Sequence, residues 1–503
     1  MNKRFFRCGS RLLLLAAVLF VGTRCVTDNT SDTPGPTSGS GSTAGSDREL
    51  KEWMVDYMKE IYLWNEAMAD VTPDYTLSYD AFLTKILEDI AAQGDINRDD
   101  GHWENGVRQY FYSNIQRYEK NDATTASVTR STREMTEGTG ITNVYVSLLM
   151  QHCIFILGGV SPSSPAGQAG LRRGDVIVEV DGEPIGATET QYNEAFNRIV
   201  YPSGQVTVSV LDASGSSSTE ITYRSASYED NPVWKYDVIP AGDAKVGYLC
   251  YDSFNRYYDD ELLEVFDLFK AQGVDELLLD LRYNGGGYVV SSTMLATFVA
   301  GTAHKGEIYM RPIYNAERMA SSSQSEAYRI GIAGSGDDAY DKIAVALDSS
   351  LGMERVYVLC SESTASASEL LINGLRGLGI EVRLIGERTN GKNVGMEGIS
   401  KSFGEYEYDF SPISFYSENA QGFSDYGDGF TPDVLAVEGA LPIEDWGDPE
   451  DGLLALALEW IETGVQPTAR TRSSSATAPR RTGLSVPHKS LEGTIICREL
   501  SDK

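Results

Sequence analysis

The stretch Val356-Tyr357-Val358-Leu359-Cys360-Ser361-Glu362-Ser363-Thr364-Ala365-Ser366-Ala367-Ser368-Glu369 decides how this chain is read. Val356 to Cys360 is a short apolar run rich in strand-forming side chains. Small polar residues follow, and then a helical segment carrying Leu370, Leu371, Ile372 and Leu375. Val382 to Ile385 is a second such run, followed by Gly386-Glu387-Arg388-Thr389-Asn390-Gly391-Lys392. Strand, helix, strand makes a crossover unit whose two strands are parallel. Ser366 then falls at a strand-to-helix turn, and Ser366 and Lys392 both lie past carboxyl ends of strands. Open α/β sheets place their sites on that edge.

A third loop joins them. Glu276 to Leu281 reads as a buried strand, and Arg282-Tyr283-Asn284-Gly285-Gly286-Gly287 follows it. Three consecutive glycines let backbone N–H groups approach a ligand closely. A serine nucleophile, a lysine base and backbone N–H donors are the parts an acyl-transfer site needs. Each part alone has a plain explanation: a helix cap, a solvated charge, a loop. Their convergence on parallel strands favours chemistry.

Working outward, residues 226–465 alternate strands and helices and form the largest unit, an α/β domain. Residues 137–225 form a β-rich module. Its runs Ile154 to Leu157, Val176 to Val180 and Val206 to Leu211 read as strands, and Gln191 to Ile199 as a helix. Residues 47–120 read as a small helical domain. Leu50, Trp53, Met54, Tyr57, Met58 and Ile61 follow one helical stripe, and Phe82, Leu83, Ile86, Leu87 and Ile90 another. Residues 466–503, rich in Ser, Thr and Arg, are expected to be a disordered tail.

The start of the chain reads as a leader. Residues 1–25 carry Lys3, Arg4, Arg7 and Arg11 ahead of the apolar run Leu12 to Val21, too short to span a bilayer. Cys25 closes this segment, and residues 26–46 are a Ser/Thr/Gly-rich linker. The expected location is therefore the cell envelope.

Composition limits the chemistry. Lys and Arg number 42 against 73 Asp and Glu, a formal charge of −31, so nucleic acid is not an expected partner. The four histidines are scattered, with no zinc-ligand spacing, and no metal or organic cofactor is expected. The six cysteines are too few and too spread for a disulfide framework.

Two sets of motifs carry a family resemblance. Ser164-Pro165-Ala166-Gly167, Ala169-Gly170-Leu171, Gly174-Asp175 and Asp181-Gly182 resemble the central segment of a PDZ domain of the bacterial protease type. The segments 277–287, 364–377 and 386–393 resemble the three signatures of the carboxyl-terminal processing, or tail-specific, proteases. That resemblance implies an α/β spiral akin to the Clp and crotonase subunits, behind a helical domain and a PDZ-like module. It implies a serine endopeptidase with Ser366 as nucleophile, Lys392 as general base, and Gly286 and Ala367 as oxyanion-hole donors. The apolar run Leu12 to Val21 with Cys25 shortly after it resembles a bacterial lipoprotein processing site, which implies a lipidated Cys25 as a membrane anchor.

By the same resemblance, unfolded or tagged protein substrates are selected through their C-terminus. An extended peptide adds to the module's sheet, with Gly140 and Ile141 at the carboxylate loop and Tyr192 and Phe196 on the groove helix. The family's Gln shortly after the lysine is absent, and Glu397 stands nearby as a shifted substitute. A peptide-binding envelope protein without catalysis is the rival reading. A crotonase-like acyl-CoA enzyme is a third, resting on fold analogy.

Overall fold

The computed structural model describes residues 43–94, 100–104, 107–119, 135–149, 151–212, 215, 217–321, 327–333, 338–440, 442–468 and 482–485. The expected leader, Cys25 and most of the 26–46 linker lie outside these residues. The chain divides into two units. Among the described residues, one comprises 137–227 with 482–485, and the other 43–136 with 228–468.

Two amphipathic helices come first, α1 (Thr43–Ile61) and α2 (Tyr79–Ala91). Helix α1 thus begins inside the expected linker. The apolar stripes read from the sequence are buried, including Met54, Met58 and Ile61 on α1 and Phe82, Ile86 and Ile90 on α2. The stripes are wider than two helices can bury against each other. They share one core with Val394, Met396, Tyr408, Phe410 and Ile413, from the far end of the sequence. Short strands follow the helices, and β1 (Asn114–Glu119) pairs antiparallel with Tyr406–Ser411. Residues 47–120 are therefore helical in their first part and β in their last.

The first unit is an antiparallel sheet with one main helix. Its strands are β2 (Ile141–Leu149), β3 (His152–Val160), β4 (Val176–Val180), β5 (Gln205–Leu211) and β6 (Ser218–Arg224), in the order β6-β5-β4-β3-β2. Helix α3 (Glu189–Val200) begins with a capping box between Thr188 and Gln191. Val144, Phe155, Leu157, Ile177, Ile199, Val206 and Val208 form the core. Thr482–Ser485 adds a further antiparallel strand beside β2. These four residues form a strand within the tail expected to be mostly disordered. A single added strand takes its hydrogen bonds from an existing sheet edge, so its own composition does not announce it.

The second unit is organised by a six-stranded sheet. Its members are β7 (Val233–Ala241), β8 (Ala244–Tyr251), β9 (Glu276–Asp280), β10 (Arg355–Cys360), β11 (Glu381–Gly386) and β12 (Val434–Leu435), in that order. β7 and β8 form an antiparallel pair, and every later pair is parallel. Helix α4 (Asp259–Gln272) connects β8 to β9, and α6 (Ala367–Gly377) connects β10 to β11, with α5 (Val289–Ala300) between these crossovers.

Strand period explains the unbroken leucine run of β9. Leu277 and Leu279 face a core with Phe266, Phe298, Leu370 and Leu371. Leu278 faces the opposite core, with Leu453, Leu454 and Trp460 of helix α7 (Gly452–Thr463). A parallel sheet covered on both faces needs apolar residues at every position. The register pairs Asp280 with Leu359 and Cys360 with Gly386. The three loops singled out in the sequence therefore leave the same edge of the sheet side by side.

Candidate active site

The loop after β9 is held by a buried charge cluster. Arg282 bonds Asp280 at 2.8 Å and Asp451 at 2.9 Å, and reaches Glu438 as well. Arg282, Asp280, Glu438 and Asp451 are all buried. A guanidinium offers five donors in a fixed fork, which lets it satisfy several carboxylates at once. It anchors the point where the strand becomes the glycine loop.

That loop is stitched to the serine turn. The carbonyl of Asn284 accepts from Ala365 N–H at 3.1 Å and from Ser368 Oγ at 3.0 Å. Thr364 Oγ1 donates to the carbonyl of Leu281 at 2.8 Å. Gly286, at φ +110°, lies against the Ser366 turn. A Cβ there would stand 2.7 Å from Ser366 Cβ and 2.9 Å from Ala367 N. No side chain fits, so glycine is required by both space and backbone conformation.

Ser366 precedes α6 with φ +56° and ψ −111°, left-handed backbone in a residue that has a Cβ. Such a conformation costs on the order of 1–3 kcal/mol and persists only where its surroundings enforce it. The serine is fully buried. Its neighbours serve other ends: Ser368 is used by Asn284, and Ser363 is exposed. Ala367 is the first residue of α6, where a helix leaves its N–H groups without intrahelical acceptors. The Gly286 N–H, by contrast, donates to Asn284 Oδ1 at 2.9 Å.

Glu369 joins the serine turn to the lysine loop. Its Oε2 accepts from Ser366 N–H at 3.1 Å and from Lys392 N–H at 2.8 Å. Its Oε1 accepts from Gly391 N–H at 2.7 Å and Thr389 Oγ1 at 2.6 Å. Burial raises its carboxyl to about 7, against the opposing pull of these donors. In the sequence Glu369 stands inside the serine motif, with no pattern separate from it. Its signal was the Ser-x-x-Glu spacing, which is a capping box when it opens a helix.

Lys392 is 1% exposed, and its Nζ lies 4.7 Å from the centre of the Tyr112 ring. Tyr112 donates its hydroxyl to Asn390 Oδ1 at 2.9 Å, which ties it to the lysine loop. Asp100 is also near enough to feel the Lys392 charge. This buried carboxyl accepts from Tyr112 N–H, from Ser113 N–H and Oγ, and from the Tyr62 hydroxyl. Burial is the largest influence on it and pushes its pKa up, towards the neutral form. The lysine is therefore buried but not remote from carboxyl groups. Tyr112 and Asp100 were missed in the sequence, where no local pattern links them to a residue nearly 300 positions away. Glu397 is engaged elsewhere: its carboxylate pairs with Arg318 Nη1 at 2.8 Å, and its N–H donates to Ser414 Oγ at 2.7 Å.

In the first unit, Gly140 takes φ +79° at the turn into β2. Ile141 and Phe196 are buried in the core of the sheet and helix, and Tyr192 is half-buried against it. Among the described residues no cluster of His, Cys, Asp and Glu is arranged to hold a metal ion, and no helix is long and apolar enough to cross a membrane.

Comparison with known proteins agrees with this architecture. Residues 245–435 match peptidase family S41, residues 157–197 match a PDZ domain, and residues 49–103 match the peptidase S41 N-terminal domain. The chain is 30% identical over 249 residues to a chloroplastic C-terminal processing peptidase of Tetradesmus obliquus, a match covering 46% of this chain and 47% of that protein. It is 28% identical over 236 residues to a carboxyl-terminal-processing protease of Picosynechococcus, covering 46% and 49%. The chain thus spans about half the length of the curated relatives it matches. A crystal structure described as an S41 protease, from Bacteroides fragilis, superposes with a TM-score of 0.62 at 24% identity, over 82% of this chain and 98% of that one. The shared fold, the domain matches in chain order and the three loops at one sheet edge make this chain similar to the peptidases of family S41, whose model its residues 245–435 match.

Proposed function

We propose that the chain is a serine endopeptidase in which Ser366 attacks a peptide carbonyl and Lys392 is the general base. The observation that carries the reading is the common tether of both residues to Glu369, beside the Ala367 N–H. Neutral Lys392 takes the Ser366 proton as Oγ bonds to the carbonyl carbon. The carbonyl oxygen becomes an oxyanion, which the Ala367 and Gly286 N–H groups stabilise. Gly286 serves in this way once its N–H turns from Asn284 Oδ1 to the substrate. Collapse of the intermediate breaks the peptide bond, and the departing amine takes the proton from Lys392. Water, deprotonated by the same lysine, then attacks the acyl carbon, and Lys392 returns the proton to Ser366 Oγ as the acyl group leaves as the carboxylic acid. The serine–lysine pair needs no histidine.

Residues 226–465 are the catalytic body in this reading, and residues 137–225 the module that selects substrates. Unfolded proteins present a free C-terminus as a strand to be added at β2. The relatives' printed names, C-terminal processing peptidases, agree with that choice. Lipidation at Cys25 and residence in the cell envelope belong to the same proposal. The rival reading of a non-catalytic peptide binder has the missing Gln after Lys392 as its only sequence support.

The test is cleavage of one unfolded protein bearing a free, an amidated or an acidic C-terminus, beside Ser366→Ala and Lys392→Arg. Wild type should favour the free apolar terminus, and both variants should be inert, because a guanidinium does not deprotonate. Cleavage by Ser366→Ala at the wild-type rate would remove the nucleophile. Equal rates on the three termini would remove C-terminal selection.

A further inference from the structure

The exposed edge of β2 in the first unit is occupied by the chain itself. Thr482 pairs with Val146, Gly483 with Tyr145, Leu484 with Val144 and Ser485 with Asn143, all antiparallel. β2 pairs with β3 on its other side, so this edge is where the sheet can accept one more strand. The direction of the pairing is informative. Each step towards the C-terminus moves the tail closer to the start of β2, where Gly138 and Gly140 turn the chain with φ +155° and +79°. A peptide delivering a free carboxylate to that turn would run the same way.

We infer that residues 482–485 form a resident competitor for the strand-addition edge of β2, which a substrate terminus must displace before it binds. The inference rests on the reading of this unit as the substrate-selecting module. Two features make the occupant displaceable. The tail strand offers main-chain hydrogen bonds, which any extended peptide reproduces. It is also an internal segment: Pro487, which has no N–H to extend a ladder, follows two residues later, and the chain continues to Lys503 without presenting a carboxylate at that register. A substrate ending at the glycine turn adds a charged group the tail lacks. Since the competitor is covalently attached, it acts at a fixed effective concentration set by its tether, independent of how much enzyme is present. A groove occupied nine-tenths of the time weakens apparent substrate affinity about tenfold.

The experiment uses the full chain with Ser366→Ala, to prevent cleavage, beside the same protein lacking residues 482–485 and beside the double variant Gly483→Pro, Leu484→Pro. Hydrogen exchange of the β2 amides is read first, without ligand. Loss of protection over residues 143–146 in both variants is the expected result, and unchanged protection overturns the tail's occupancy. Binding of a fluorescent peptide with a free apolar C-terminus is read second. Both variants should bind it about tenfold more tightly than the parent, and a synthetic peptide spanning residues 478–490 should compete. Equal affinity in all three proteins overturns the competitor while leaving substrate selection standing. Binding by none of them overturns the selection reading and the competition with it.

Discussion

The backbone N–H groups of Ser366 and Lys392 end on one atom, Oε2 of Glu369, at 3.1 and 2.8 Å. The two residues come from loops after different strands, and a shared acceptor fixes their separation more tightly than either loop would alone. An amide in place of the carboxylate must turn a donor towards N–H donors on one side. Glu369→Gln should therefore lower kcat by about 100-fold, the scale of an ångström of misplacement, with KM little changed. A large change in KM with unaltered kcat would contradict this positioning role.

The same carboxyl sets a pH dependence. Burial raises Glu369 to about 7, so protonation on the acid side places a proton among four donors. The kcat should fall as pH drops through about 7. Initial rates between about pH 5.5 and 8.5, at saturating substrate, measure it.

Stability should run the other way. Glu369 and Asp259 are both raised to about 7 by burial, above ordinary carboxylate values. Between the unfolded and folded values the native state binds more protons than the unfolded chain. The contribution of these groups is complete below the unfolded pKa and is lost as pH rises through the folded one. The melting temperature should therefore be higher near pH 5.5 than near pH 7.5, and Glu369→Gln should flatten that difference. Opposite trends in stability and kcat would separate a local loss of catalysis from unfolding.

Gly286→Ala should abolish turnover. The new Cβ would stand 2.7 Å from that of Ser366, in a backbone conformation that side chains rarely adopt. Circular dichroism and the extent of labelling by a serine-directed acylating probe check it: the fold should persist while labelling is lost. Labelling at the wild-type rate would detach this glycine from the Ser366 turn.

Arg282→Leu should be costly for a different reason. It leaves Asp280, Glu438 and Asp451 buried with their cation gone. Breaking a buried ion cluster by removing one partner costs about 3–5 kcal/mol, which urea denaturation would register. A cost below about 1 kcal/mol would mean that the cluster relaxes to water.

What could be read in the sequence was what repeats locally. The strand runs at 276–281, 356–360 and 382–385 announce a sheet because apolar side chains at consecutive positions need two covered faces. Crossover geometry then brought Ser366, Lys392 and the 282–287 loop to one edge. The second face of the lysine was illegible. Tyr112 and Asp100 reach Lys392 through tertiary packing alone, and Glu397, a nearby acid in the sequence, is taken by Arg318. The tail strand was hidden because four residues of ordinary composition borrow their order from β2.

The core shared by α1, α2 and the strands after Lys392 has a consequence for how the molecule comes of age. Val394 and Met396 are buried among side chains of residues 50–90, and the Tyr57 hydroxyl donates to the carbonyl of Glu397 across 340 positions. During synthesis the helices emerge hundreds of residues before the strands that complete their core. Contacts so distant in sequence close late, after the entropy of a very long loop has been met. The Ser366 turn can form within one crossover unit, whereas the surroundings of Lys392 wait for the two ends of the body to meet. A half-made chain thus carries Ser366 before the packing around Lys392 is complete.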